Sequence, residues 1–492
     1  MMLAAYSLAA APAELRIWVG IFDTATPQPP NLRLAGGGGQ VEALAPLTPI
    51  RDRITDAQGR PLNHRGVFRI SGLAEATSYT VLIEVAGQAL PPLKTHTLPR
   101  ALPRKLDGSF NILLCSCYSQ PEDGAGLVGT IASQIMLRTD MTLMMGDQIY
   151  GDLPIFEDLP EDDAGVARKL ARKYRRNFVD SQLGSGGLGP LLARAPYVCV
   201  ADDHEYWNNY PYRQTQLPKT WTEAGRRQWA AIAKDLYEDY QLDGPAGGCK
   251  RIDIEPLSML VVDMRSLRDD RFGLLMAPPA LQQFAAWEAD LQARRAAGQP
   301  AFGMLVSGQA LLVEPASASK RLSEDAEMSN YAQYLDTILP ALERLSAAGI
   351  PVLYVTGDVH WSRVARVRDM GSGRTTLYEV IVSPSCLIRV PGLDAAKQTL
   401  NGISGIFGTA KPWPRHGKAA PLPKRLREQG RFAPYADKGG LGPLELQGDR
   451  IAVLSLTRAG GGIDFEVSYY GISGDKALAR SITTPACQMR NI

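Results

Sequence analysis

Seven short apolar runs recur between residues 112 and 382, and each hands over at once to a polar segment: 112–114, 141–145, 197–200, 259–262, 304–306, 352–355 and 380–382. Helical patterns separate several of them. Val166, Leu170, Tyr174 and Phe178 recur every four residues, and residues 281–295 follow Pro278-Pro279, a pair suited to a first helical turn. Residues 328–347 read as a further helix that Pro340 should kink or split. Strands alternating with helices predict an α/β layered domain from about residue 108. Residues 451–457 and 463–470 alternate as a terminal hairpin around a turn at 458–462.

Before residue 100 the rhythm is all-β. Leu15, Ile17 and Val19 alternate with Arg16, Trp18 and Gly20, and residues 67–70 and 79–85 are β-rich between turn residues. Residues 73–99 resemble the last strands of a fibronectin- or immunoglobulin-like sandwich. Residues 1–103 are therefore expected to form an all-β sandwich ending in a linker at 99–103, and 104–492 the larger domain. Residues 1–11 are apolar and end in small side chains but lack a basic start. They are read as leading into a first strand at 15–20 rather than as a signal peptide. A cytoplasmic location is expected on that ground, with the periplasm or secretion as the alternative. Gly36-Gly37-Gly38-Gly39 is read as a loop tip, because no helical pattern follows it as a phosphate loop requires. Residues 391–440 are rich in Pro and Gly and hold nine Lys/Arg against three Asp/Glu; they are either a lid over the site or a solvated loop. Elsewhere charge is balanced, 53 basic against 51 acidic residues in all, which removes the bulk electrostatic argument for a nucleic-acid partner. Six cysteines in 492 residues are too few for a disulfide framework. No stretch approaches the roughly 20 apolar residues of a bilayer span.

The polar segments carry the chemistry. Cys115-Ser116-Cys117 follows the first run, Gly146-Asp147-Gln148-Ile149-Tyr150-Gly151-Asp152 the second, and Asp202-Asp203-His204-Glu205 with Asn208-Asn209 the third. Asp263, Arg265, Arg268 and Asp269 follow the fourth, Ser307-Gly308-Gln309 the fifth, Gly357-Asp358-Val359-His360 the sixth and Ser383-Pro384-Ser385 the seventh. Sites in open α/β sheets form outside the carboxyl ends of strands. A lone Asp there is usually a turn former, but that reading does not explain seven ends loaded with thiols, carboxylates, imidazoles and guanidiniums. The chain has only five His, and His204 and His360 are two of them. Carboxylates with imidazole and a phenol suit hard or borderline cations. Asp147 can bridge two ions with its two oxygens, and Tyr150 can turn its oxygen onto one of them. A phenolate ligand points to a trivalent ion such as Fe³⁺. Cys115 or Cys117 can add a thiolate, although a buried inert thiol is the commoner fate of a Cys. Two ions about 3.5–4 Å apart clamp the attacking and leaving oxygens of a phosphoryl transfer.

Gly146-Asp147-Gln148-Ile149-Tyr150, Asp202-Asp203-His204-Glu205 and Gly357-Asp358-Val359-His360 resemble the motif set of the PhoD-like alkaline phosphatase/phosphodiesterase family, among the calcineurin-like and purple-acid-phosphatase-like metallophosphoesterases. Asp263-Met264-Arg265 and Val382-Ser383-Pro384-Ser385 also resemble family segments, as does a β-sandwich ahead of the catalytic domain. The resemblance implies a four-layer α/β/β/α catalytic domain that hydrolyses phosphomonoesters or phosphodiesters with a metal-bound hydroxide. It implies two or more metal ions, Fe³⁺ with Ca²⁺ ahead of Zn²⁺ or Mn²⁺. Cys117, the thiol that follows a Ser, would hold the first ion with Asp147, Tyr150 and His360; Asp147, Asp203 and Asp358 would hold the second. His204 would be the catalytic imidazole, with Arg265 a second catalytic residue. Gln309 stands where many relatives carry a His ligand, and it and Asn208 are expected at the metal or the substrate.

Other chemistries fit less well. There is no Gly-x-Ser-x-Gly elbow, and Asn208 removes the His-Glu-x-x-His zinc motif. Arg168, Lys169, Arg172, Lys173, Arg175 and Arg176 form either a solvated helix face or a field that steers phosphate. Tyr206, Trp207 and Tyr210 are either core or a stacking surface for a leaving group. The competing function is a catalytically silent relative that binds phosphate or a partner through the N-terminal sandwich. The intact set Asp147, Tyr150, Asp203, His204, Asp358 and His360 favours the enzyme.

Overall fold

The fold is taken from a computed structural model, which describes residues 1–491 except 125, 154–159, 161, 183–186, 215–216, 314, 316–326, 388–425, 433–445, 447 and 473–480. In chain order the N-terminal part gives β1 (Met2–Leu8), β2 (Leu15–Phe22), β3 (Asn31–Leu34), β4 (Gln40–Pro49), β5 (His64–Ser71), β6 (Ser78–Val85), β7 (Gln88–Ala89) and β8 (Leu93–His96). Then come β9 (Phe110–Cys115), α1 (Leu127–Gln134), β10 (Met141–Met145), α2 (Asp163–Tyr174), α3 (Gly189–Leu192), β11 (Tyr197–Val200), α4 (Glu223–Gln241), β12 (Cys249–Ile254) and β13 (Leu257–Val262). The remainder gives α5 (Pro278–Ala296), β14 (Phe302–Val306), α6 (Leu339–Ala347), β15 (Val352–Thr356), β16 (Arg363–Asp369), β17 (Thr375–Ile381), β18 (Leu426–Phe432), β19 (Arg450–Ala459) and β20 (Gly462–Gly471).

Six of the seven apolar runs lie wholly in a strand and the seventh, 380–382, runs one residue past β17; β9, β10, β11, β13, β14 and β15 are buried at every residue. They are continuous rather than alternating because both faces of their sheets are covered. One sheet has 11 strands and runs β20-β19-β9-β10-β11-β1-β2-β5-β4, with Ile482–Thr483 and Cys487–Met489 on β20. The other has 7 and runs β12-β13-β14-β15-β17-β16-β18. Leu114, Met145 and Val200 of the first sheet meet Met259, Met304 and Val355 of the second in one core. Val166, Leu170 and Tyr174 of α2 and Trp229 and Leu236 of α4 cover the outer face of the first sheet. Phe284 and Trp287 of α5 and Leu342 of α6 cover the second. This is the four-layer α/β/β/α arrangement that was expected.

The all-β N-terminal region is also present, as a sandwich with a shared wall. Leu15, Ile17, Val19 and Ile70 pack on Leu32, Leu34, Val81 and Ile83 of the small sheet β3-β6-β7, with β8 on β6. The other face of β2 sends Trp18 and Phe22 into the helix-covered core. One wall of the sandwich is thus the end of the 11-stranded sheet, so pairing crosses residue 103. The expectation that residues 1–11 lead into a first strand at 15–20 is corrected. Met2–Leu8 is itself a strand, antiparallel to β2 from Met2↔Phe22 to Leu8↔Arg16, and Leu8 pairs parallel with Tyr197 of β11. Tyr6 stacks on Trp18 at 4.4 Å, and this burial on both faces explains the apolar, small-residue composition.

Residues 328–347 are broken as Pro340 requires. A turn at Met328–Asn330 and a π-helical turn at Tyr334–Ile338 precede α6, which has Pro340 in its first turn. Gly36 to Gly39 join β3 to β4 and are exposed. The lid-or-loop alternative for 391–440 lies outside the described residues except at β18, which pairs antiparallel with β16. No helix among the described residues is long and apolar enough to cross a membrane.

Candidate metal centre

The loops after β9, β10 and β11 in one sheet and after β15 and β17 in the other converge at the carboxyl ends of the parallel strands. Their approach is closer than side chains permit at two positions. A Cβ on Gly146 would lie 2.5 Å from Asp202 Cβ, and one on Gly357 would lie 2.3 Å from Ser116 Cβ. Backbone hydrogen bonds lace the loops together: Cys117 N donates to Gly146 O at 3.1 Å, Tyr118 N to Asp147 O at 2.8 Å and Cys386 N to Cys117 O at 3.1 Å.

Two clusters of ligand atoms result, Cys117–Asp147–His360 and Asp147–Asp203–His204, and within each the atoms lie within 4.8 Å of one another. Asp147 belongs to both, as a bridging carboxylate must. Cys117 rather than Cys115 points into the cluster: its Sγ is 3.5 Å from Asp147 Oδ2 and accepts from Ser383 Oγ at 3.2 Å, whereas Cys115 Sγ lies 3.7 Å from Leu143 O. His204 falls with Asp147 and Asp203, and Asp358 presents its backbone carbonyl to Cys117 Sγ at 3.5 Å. Tyr150 packs on His204 with ring centroids 4.3 Å apart, and its buried Oη has no hydrogen-bond partner among the described residues. A buried phenol normally finds a partner. An orphan phenol oxygen beside a thiol, carboxylates and imidazoles fits a bound cation.

Cys117, Asp147, Asp358 and His360 have φ of 50°, 56°, 70° and 55°, in the left-handed region that side chains other than Gly avoid. Such residues cost of order 1 kcal/mol or more each and cluster at functional sites. The electrostatics agree. Burial, then Asp147 and Asp358, push the Cys117 thiol well up, and burial, then Cys117 and the surrounding carboxylates, push the Tyr150 phenol well up. Burial also raises Asp147, which neighbouring His204 opposes and Asp203 reinforces. A cation reverses all three.

His204 is different. Burial alone would lower its pKa, but Asp152, Asp203 and Asp147 together raise it well above the ordinary imidazole value. Its Nδ1 is 2.7 Å from Asp152 Oδ1, and Asp152 Oδ2 accepts from Asn208 N at 2.9 Å. Asp152 is held below the usual carboxylate range: burial raises it, but His204, that backbone N–H and Lys173 outweigh burial. Asn208 thus enters through its backbone. Asp203 is oriented by Asn209 N, which donates to its Oδ2 at 2.7 Å. Arg265 is fully buried, with Nε on Asp202 Oδ1 at 2.6 Å and Nη1 on Tyr210 O at 2.9 Å. It braces the segment that carries Asp203. Gln309 gives its side-chain oxygen to Arg268.

Three contributors had not been assigned from sequence. Asp152 lies in the quoted motif, but only the fold shows that it meets His204. Glu205 accepts backbone N–H groups from both metal loops. Lys173 of α2 donates to Tyr150 O at 2.8 Å, Gly151 O at 3.2 Å and Leu153 O. The solvated-face reading of α2 suits exposed Arg172 but not Lys173. Tyr206, Trp207 and Tyr210 are buried and pack on one another, Tyr206 stacked on Tyr210 at 4.2 Å, as core.

A family model described as PhoD-like phosphatase matches residues 110–386. A solved structure described as PhoD superposes with a TM-score of 0.60 at 13% identity, covering 99% of this chain and 90% of that one. A purple acid phosphatase from yellow lupin (Lupinus luteus) seeds superposes with a TM-score of 0.53 at 10% identity, covering 98% and 74%. No curated protein matches the chain.

Proposed function

The chain belongs to the PhoD-like phosphatase family, and from that premise we propose that it is a metal-dependent hydrolase of phosphate esters with its centre on Asp147. The observation that carries the reading is Asp147's membership of both ligand clusters beside the orphan Tyr150 oxygen. In this reading Cys117, Asp147, Tyr150 and His360 hold one ion, and Asp147, Asp203 and Asp358 hold the other. The phenol and thiol favour Fe³⁺ at the first position, with Ca²⁺ at the second; Zn²⁺ or Mn²⁺ is the alternative. When bound, the ions activate water for attack on phosphorus and neutralise the charge that develops there.

The chain's own residues handle the leaving group. Asp152 occupies His204 Nδ1, which leaves Nε2 to carry the proton. Asp152, whose Oδ1 lies 2.7 Å from Nδ1, favours the protonated imidazole. His204 therefore acts as general acid toward the departing oxygen, help typically worth about 10²–10⁴ in rate. Arg265 acts through Asp202 as a positioning residue. The decisive experiment is hydrolysis of p-nitrophenyl phosphate and bis-p-nitrophenyl phosphate with and without a chelator, alongside metal analysis of the purified protein. Chelator-sensitive hydrolysis of either ester is expected. Purified protein that holds metal but hydrolyses neither would return the silent-relative reading.

A further inference from the structure

Glu205 is fully buried and accepts three backbone N–H groups: Gln148 N on Oε1 at 2.7 Å, and Asp147 N and Asp202 N on Oε2, each at 2.9 Å. Two of these donors belong to the loop after β10 and one to the loop after β11. The connection is reciprocal, because His204 N donates back to Asp147 Oδ1 at 3.1 Å. Glu205 therefore fixes the residue whose carboxylate both clusters share. It acts on Asp147 where the backbone is least favourable, at φ 56°. Those hydrogen bonds offset the strain of holding one non-glycine residue in the left-handed region.

We propose that Glu205 is a positioning residue that sets the separation of the two metal loops and thereby the affinity for metal, without being a ligand. The inference rests on the metal-dependent reading above. Only an ionised carboxylate suits the position: it accepts at both oxygens and donates nothing, whereas the amide of Gln would set its NH₂ against a backbone N–H. Partners one step removed from a metal typically change affinity by about 10–100-fold when mutated.

The test is calorimetric titration of the chelator-stripped full chain with Mn²⁺ and with Ca²⁺, for wild type, E205Q and E205D. E205Q is expected to bind at least one ion roughly 10–100-fold more weakly, with circular dichroism unchanged and kcat recovering as metal is added. E205D keeps the charge but is one methylene short of spanning both loops, so it is expected to lie between the two. If E205Q does not fold, E205D decides. Wild-type affinity in the folded variant would overturn the proposal and leave Glu205 as a plain cap of the turn Asp203–Glu205. Wild-type protein that takes up neither ion and holds no metal as purified would bring down the metal-dependent reading itself, so the two failures are distinct.

Discussion

At the scale of single residues, the proposed function gives Asp147 and His204 different roles, metal holding for one and proton transfer for the other, and each has its own test. Asp147→Ala should abolish hydrolysis and lower metal content at both positions together, because one carboxylate belongs to both clusters. Full metal content with retained activity would show that Asp147 is not shared. His204→Ala should lower kcat by about 10²–10⁴ with metal content near normal. The loss should be smaller for esters of p-nitrophenol than for alkyl esters, whose leaving oxygens need the proton more. An equal loss on both would mean that His204 positions substrate. Asp152→Asn tests the same imidazole through pH. Asp152 raises the His204 pKa, and a general acid works only while protonated, so activity falls as pH rises through that value. Removing the carboxylate charge lowers the pKa and should move the alkaline limb of kcat to lower pH. An unmoved limb would assign it to another group.

At the scale of elements, loops are held where strand ends let them meet. Gly146→Ala puts a Cβ against Asp202 at a φ of 87°, and should destabilise the fold by about 1–3 kcal/mol in denaturant titrations. An unchanged midpoint would mean that the loops can part. Lys173→Met should lower hydrolysis while leaving the far-ultraviolet circular dichroism intact, since it releases the carbonyls of Tyr150 and Gly151 rather than a core contact. Lys173→Arg should recover part of the loss. Much at this scale was legible in the sequence. Strands buried on both faces leave unbroken apolar runs, and the residues after four of them supply both clusters of candidate ligand atoms: Cys117, Asp147, Asp203 and His204 after three, and His360 after a fourth. Glu205, standing in the same four-residue motif as Asp203, was visible as a residue but not as a clamp. Its partners are backbone N–H groups, which every sequence has and none displays. Asp152 was hidden for a similar reason, because its meeting with His204 depends on how two loops after neighbouring strands fold back. The aromatic segment at 206–210 could not be placed until its burial was seen.

At the scale of the whole molecule, the N-terminal region and the catalytic layers share one sheet. The rhythm change near residue 100 was plain, but β1 sits between β11 and β2, and no local pattern announces a partner nearly 190 residues away. Arg51, just beyond β4, adds ion pairs to Asp235, Glu238 and Asp239 of α4. A chain beginning at residue 104 would bare the β11 edge and remove Tyr6 and Trp18 from the helix-covered core. It should be insoluble or unfold without cooperativity, as chromatography and calorimetry would read. A soluble, cooperatively melting 104–492 would mark the two parts as independent. The four left-handed residues Cys117, Asp147, Asp358 and His360 each cost the folded body on the order of 1 kcal/mol or more. Backbone and side chain therefore pull in opposite directions at these positions: Gly relaxes the backbone but carries no ligand atom. Substituting Gly at one of these four positions should then raise the unfolding midpoint while removing a side chain from the centre.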